Sequence, residues 1–344
     1  MTLYDEILEQ PTIFQRLLSG QRERIRDIAD EIRQREVCFA FLAARGSSDN
    51  AARYANYLWG ACNRLPVALA TPSLFTYYGH PPRLDKALVV GVSQSGRSPD
   101  ILAVIAEGRR QGCPTMAVTN APKSPLARAS DFVIDIQAGA ERAVAATKTY
   151  TAELLAMAML SVEMAGDDTR RADLSRLPDL SSEVLGLDAQ IARLAERYRF
   201  MERCIVIGRG FNYATAFEWS LKLKELTYVV AEPYSSADFL HGPIAMVEGG
   251  FPVLVVAPGG QIFDSLLELL RTLRRKNAEL VVISDQPAAL ELAQSPVALP
   301  SGIPEWISPL PAILPAQLFC YHLARARGVD VEAPRGIRKV TETR

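Results

Sequence analysis

Along most of the 344-residue chain, short continuous apolar runs bounded by turn residues alternate with amphipathic stretches. Residues 37–44, 87–92, 115–119 and 132–136 are such runs, and their lack of polar alternation marks strands buried on both faces. Residues 49–62 and 100–111 have helical periodicity, as does an N-terminal stretch, 13–35, in which Ile25, Ile28 and Ile32 recur at helical spacing. Strands alternating with helices predict a parallel sheet covered by helices on both faces.

The pattern then repeats. Residues 204–207, followed by Gly208, Arg209 and Gly210, mirror 37–44 followed by Arg45 and Gly46, and the same offset, to within one residue, relates 88–92 to 252–256 and 115–119 to 280–284. The expected fold is therefore α/β with two duplicated lobes, each a flavodoxin-like three-layer sandwich. The expected divisions are an N-terminal helical segment over 1–36, a first lobe over 37–180, a second lobe over 181–330 and a tail over 331–344. The join falls in the polar stretch 166–182, and a helix over 317–327 closes the second lobe.

The lobes differ where chemistry would occur. After its second apolar run the first lobe reads Ser93-Gln94-Ser95-Gly96-Arg97-Ser98-Pro99-Asp100, whereas the second offers Ala257-Pro258-Gly259-Gly260. Ser98 at the N-cap and Pro99 at the first helical position would aim a helix N-terminus at the hydroxyls of Ser93, Ser95 and Ser98, a geometry suited to a phosphate monoester. Ser47 and Ser48, after the first strand, add hydroxyls on the same sheet edge. The loop is neither a lysine-bearing P-loop nor a GxGxxG turn, which points to a small phosphorylated metabolite rather than an adenine nucleotide. Capping and turn formation are the competing use of any one of these serines.

Composition narrows the field. Hydrophobic residues make up 49% and charged residues 22%, with a formal net charge of -1, so no bulk field exists to hold nucleic acid or an anionic membrane. Five cysteines without a CxxC pair suggest neither a zinc knuckle nor a disulfide framework, and Cys38 falls inside an apolar run. Asp5 and Glu6 stand where a secretory signal carries positive charge, and no apolar run of membrane-spanning length lacks a charge or proline. A cytoplasmic protein with no membrane anchor is expected. Only seven of the 38 basic residues are lysines (86, 123, 148, 222, 224, 276 and 339), which draws attention to Lys148, Lys222 and Lys339.

In order along the chain, GSSDNAARYANY, SQSGRSPD, AERAVAATKTYT, EWSLKLKELTY, FLHGPIAMV and GIRKVTE resemble the sugar isomerase (SIS) family. The likeness runs from about Val37 to the end and is strongest to the isomerase half of glucosamine-6-phosphate synthase and to stand-alone SIS-type glucosamine-6-phosphate deaminases. It implies that Ser47, Ser48, Ser93, Gln94, Ser95 and Ser98 hold a sugar phosphate. It also implies that Glu225 is the enolisation base, that His241 opens the sugar ring and comes from the neighbouring subunit of a homodimer, and that Lys339 meets the open-chain carbonyl. The chain departs from the synthase pattern at Arg97, at Ser98, and at Ala146, where the family stretch ASTK has a serine. No metal and no organic cofactor is implied.

The residues themselves support these assignments to different degrees. Glu218, Lys222 and Glu225 share one helix face. Phe217, Trp219, Leu221, Leu223, Leu226 and Tyr228 surround them, so a carboxylate there must be paired or used. Lys222 either keeps Glu225 ionised, or neutralises charge on the substrate's O1, or makes a structural pair with Glu218. Thr147 and Lys148 open a helix, as cleft-lining groups or as a cap and a salt bridge. His241 lies in a turn with Gly242 and Pro243, whereas His80 and His322 read as structural. Lys339 sits in a basic tail with Arg335 and Arg338, where a solvated end is the alternative.

The expected activity is conversion of glucosamine 6-phosphate to fructose 6-phosphate and ammonia, with deglycation of a fructosamine 6-phosphate and non-catalytic phosphosugar sensing as rivals. With MTLYDE at the start and about 36 residues before the first strand, no glutaminase domain is expected, which favours deamination over glutamine-dependent synthesis.

Overall fold

The computed structural model describes residues 2–339. Ten strands form in chain order: β1 (Phe39–Ala43), β2 (Val67–Leu69), β3 (Ala87–Val92), β4 (Thr115–Thr119), β5 (Phe132–Asp135), β6 (Arg203–Gly208), β7 (Val230–Ser235), β8 (Pro252–Val256), β9 (Glu279–Ser284) and β10 (Ser295–Ala298). They make two separate five-stranded sheets, ordered β2-β1-β3-β4-β5 and β7-β6-β8-β9-β10. Every pairing is parallel. The two orders are one order used twice, which is the duplicated, helix-flanked α/β fold expected from the repeat. It is also the flavodoxin-like order, whose direction reverses between the first and third strands and opens a crevice at their carboxyl ends.

The chain divides into two compact units. The first-lobe unit holds Glu9–Glu141 and Ala146–Arg176, joined by Arg338 and Lys339 from the tail. Its core on one sheet face sets Phe41, Val89 and Ala117 against Ile101, Val104 and Ile105 of the helix Pro99–Arg110. The helix Lys148–Ala165 is buried along nearly its whole length, and its buried charges, Lys148 and Glu153 among them, are paired. The second-lobe unit holds the helix Leu3–Leu8, Arg142–Ala145 and Leu177–Ile337. In it Ile205, Ile207, Val253 and Val255 pack on Leu266, Leu269, Leu270 and Leu273 of the helix Phe263–Arg275.

These boundaries differ from the four expected segments at both ends. The N-terminal helical segment divides between the two units. Helices Gln10–Gly20 and Arg22–Gln34 belong with the first lobe, while Leu3–Leu8 belongs with the second. There the fully buried Glu6 accepts the amides of Arg142 (2.5 Å) and Ala143 (3.3 Å) and ties that short segment to the same unit. Arg338 and Lys339 of the tail likewise belong with the first lobe, for a reason given below. Cys38 precedes β1 and is exposed, rather than lying inside a strand.

Among the described residues no helix is long and apolar enough to cross a membrane, and no cluster of His, Cys, Asp or Glu could hold a metal ion.

Candidate active site

The crevice of the first lobe lies between the carboxyl ends of β1 and β3, where the two serine-rich turns emerge. Ser98 is the N-cap of Pro99–Arg110 with Pro99 at the first position, as the sequence requires. Its side chain makes no capping bond, and neither its hydroxyl nor that of half-buried Ser95 bonds to any described residue. Both remain available to a ligand. Ser93 is buried, and its Oγ accepts the Gly96 amide at 3.2 Å. The loop is held from behind: Gln94 O accepts from Asn120 N (3.2 Å) and Thr119 Oγ1 (3.3 Å), and Gly96 O from Leu126 N (3.1 Å). Gly96 has φ of +60° and no room for a side chain, since a Cβ would stand 2.1 Å from Ser124 Oγ.

On the other side of the crevice Ser47 and Ser48 begin the helix Ser47–Asn63, and Ser48 Oγ donates to the buried Glu153 carboxylate at 2.9 Å. That hydroxyl proton is committed, so the turn offers a ligand its first-turn amides more than the Ser48 hydroxyl. Arg45, just before this turn, donates Nε at 2.7 Å to Asp100, whose carboxylate is fully buried at the start of Pro99–Arg110 and also accepts the Ile101 amide at 2.9 Å. This bridge joins the two turns across the reversal of strand order. The sequence reading missed it because Arg45 and Asp100 are far apart in the chain.

Thr147 is the N-cap residue of Lys148–Ala165 and is buried. Lys148 is buried too and pairs with Glu9 at 2.7 Å, the salt bridge weighed as an alternative to lining a cleft. Lys339 does not dangle in solvent: Nζ lies 2.5 Å from Glu141 Oε2, which brings the tail onto the first lobe.

In the second-lobe unit the helix Tyr213–Thr227 carries Glu218, Lys222 and Glu225. Lys222, 1% exposed, bridges the two carboxylates, at 3.5 Å from the fully buried Glu218 and in a closer bond to Glu225. Lys222 therefore makes the structural pair with Glu218 and lies against Glu225 as well. Glu225 is 24% exposed, so its carboxylate is reachable while its charge is balanced from below. His241 follows the helix Ser236–Leu240, is exposed beside the exposed Leu240, and makes no side-chain bond to the other candidates. His322, read as structural, sits 2.7 Å from Asp188, which also accepts from Tyr4 OH at 2.9 Å.

The duplicated flavodoxin-like frame has counterparts among known proteins. The model of the SIS domain matches residues 39–163 and again 200–325, one match per lobe. The chain belongs to the SIS domain family. Among its SIS relatives, glutamine–fructose-6-phosphate aminotransferase (isomerizing) of Thermococcus kodakarensis is 33% identical over 343 residues, covering 97% of this chain and 56% of the relative. The chain thus spans little more than half the length of the curated relatives it matches. The structure of a Silicibacter pomeroyi protein described as a phosphosugar isomerase superposes with a TM-score of 0.87 at 37% identity, covering 96% of this chain and 99% of that one. The C-terminal domain of glucosamine-fructose-6-phosphate aminotransferase from Francisella tularensis gives 0.88 at 28% identity, covering 96% and 98%.

Proposed function

We propose that this SIS protein is a phosphosugar aldose–ketose isomerase acting on a hexosamine 6-phosphate, and that it converts glucosamine 6-phosphate to fructose 6-phosphate and ammonia. The observation that carries the reading is the Glu218–Lys222–Glu225 ladder. It holds a partly exposed carboxylate on a rigid helix with its charge matched by a buried ammonium, the state a general base requires.

In the open-chain aldehyde Glu225 removes the proton from C2, leaving an enolamine, and returns a proton to C1. The resulting imine at C2 takes up water and releases ammonia, so the overall reaction consumes one water. Phosphate recognition falls to the free hydroxyls of Ser95 and Ser98, to Ser93 and the Gln94 backbone, and to the helix N-terminus behind them. Ring opening falls to His241, whose exposure beside Leu240 and Met246 suits delivery to a second copy of the chain, so the proposed assembly is a homodimer that uses the partner's His241. Lys339 meets the carbonyl oxygen as it gains charge.

The test is incubation of the purified chain with a panel of hexosamine and ketosamine 6-phosphates, following ammonia and ketose phosphate. Release of both products from glucosamine 6-phosphate supports the reading. Turnover of fructosamine 6-phosphates alone would replace it with deglycation, and tight binding without turnover would replace it with phosphosugar sensing.

A further inference from the structure

Glu141 stands outside every role assigned so far, yet its carboxylate is fully buried and saturated with donors. Oε1 accepts the backbone amides of Thr147 (2.9 Å) and Thr149 (3.1 Å), two of the free donors at the start of the helix Lys148–Ala165. Oε2 accepts Thr149 Oγ1 at 2.8 Å and Lys339 Nζ at 2.5 Å. One oxygen therefore caps the helix, and the other holds the tail lysine. A buried carboxylate with four donors has a single well-defined position, because any displacement leaves a charge unpaired in a water-poor place. Whatever it holds inherits that position. Lys339, 25% exposed, has its only side-chain hydrogen bond to a described residue here.

We propose that Glu141 is a positioning residue for Lys339: it docks the C-terminal tail onto the start of Lys148–Ala165 and sets the point from which the ammonium addresses the substrate carbonyl. The proposal rests on the reading of Lys339 given above and adds to it a division of labour within one carboxylate. Glu141→Gln separates the two jobs. The amide carbonyl oxygen still accepts from Thr147 and Thr149, and the amide nitrogen can donate to Thr149 Oγ1, so the helix cap survives. The nitrogen cannot accept from an ammonium, so only the hold on Lys339 is lost.

Two measurements on the full chain test this. The first is a double-mutant cycle in kcat with glucosamine 6-phosphate, comparing Glu141→Gln, Lys339→Met and the pair. A misplacement of about 1 Å costs on the order of 10²-fold, so Glu141→Gln is expected to lower kcat by about that factor with KM little changed. Adding Glu141→Gln to Lys339→Met should then cost nothing more. The second measurement is limited trypsin digestion followed by intact mass, which reads cleavage after Arg338 without any substrate. Docking through Glu141 requires at least about tenfold faster cleavage in Glu141→Gln at an unchanged Tm, a difference that corresponds to about 1.4 kcal/mol.

Wild-type cleavage rates in Glu141→Gln overturn the proposal, and so does a further loss of kcat when the two substitutions are combined. If no phosphosugar is turned over, the functional reading fails on its own terms and digestion alone decides whether Glu141 docks the tail. A variant that unfolds is replaced by Lys339→Met. Removing the other half of the pair must then loosen the tail equally, and an unchanged cleavage rate there counts against the proposal.

Discussion

Gly96→Ala perturbs the loop proposed to hold the phosphate, and the size of its effect can be worked from the structure. The added methyl meets two penalties. An L-residue at φ of +60° costs about 1–2 kcal/mol. A Cβ at 2.1 Å from Ser124 Oγ and 2.5 Å from Ser124 Cβ cannot be accommodated in place, and overpacking of this kind costs about 1–3 kcal/mol. Together they amount to about 2–5 kcal/mol, which appears either as lost stability or as a loop moved away from Ser124. In the second case Ser95 and Ser98 leave their places and the affinity for glucosamine 6-phosphate falls at least about tenfold, 1.4 kcal/mol being one decade. Calorimetric titration and thermal unfolding of the same samples divide the penalty between the two. The control is Ser124→Gly in the Gly96→Ala background. It deletes both clashing atoms, and since Ser124 caps Pro125–Ala129 by accepting the Ala127 amide, it costs only a few tenths of a kcal/mol of its own. The double variant should recover the steric part and keep the conformational part. A Gly96→Ala protein with the affinity and Tm of the parent would refute the reasoning.

Removing the ammonium between Glu218 and Glu225 with Lys222→Met should lower unfolding stability by about 3–5 kcal/mol in a urea titration, because breaking a buried pair strands charge; Glu218→Gln added to it should restore part of the loss. A silent Lys222→Met would show the ladder to be unimportant. In native alkylation at pH 8 followed by mass spectrometry, exposed Cys38 should react, while Cys113, Cys204 and Cys320 should stay protected until the protein unfolds. Burial pushes the Cys204 and Cys320 thiols well above their ordinary range. The same two shifts predict a stability that is independent of these thiols below their unfolded value of 9.0 and declines as the pH rises past it, because the unfolded chain then loses protons that the folded chain keeps. A Tm flat from pH 8 to 10.5 would contradict that.

The central strands were readable because a strand covered on both faces has to be continuously apolar: β3, β4 and β8 fall where the runs 87–92, 115–119 and 252–256 place them. The strands that went unread, β2, β7 and β10, are all sheet edges. Val67–Leu69 is only three residues long, Val230–Ser235 contains Pro233 and an exposed Val230, and Ser295–Ala298 contains Pro296. Edges tolerate proline and solvent because one side of the backbone has no partner to satisfy, so these three leave no apolar signature, whereas the fourth edge, β5, keeps one in the run 132–136.

The site divides in the same way. Ser98 at an N-cap and Glu218, Lys222 and Glu225 on one helix face are local patterns, and helical spacing is enough to find them. The bonds from Arg45 to Asp100, Ser48 to Glu153 and Glu141 to Lys339 join residues 55, 105 and 198 positions apart, and no local rule reports them. Nor could spacing show that Lys339 lies on the first lobe, because the partner that holds it is one acidic residue among many.

The most direct test of the account is solvent exchange at the substrate carbons. Wild-type protein in deuterated water should introduce deuterium at C1 of the fructose 6-phosphate formed from glucosamine 6-phosphate. Glu225→Gln, which cannot accept a proton, should bind the sugar phosphate normally and exchange at least about 10²-fold more slowly. Exchange at the wild-type rate in Glu225→Gln would contradict the assignment of the base and, with it, the reading of this chain as an enolising isomerase.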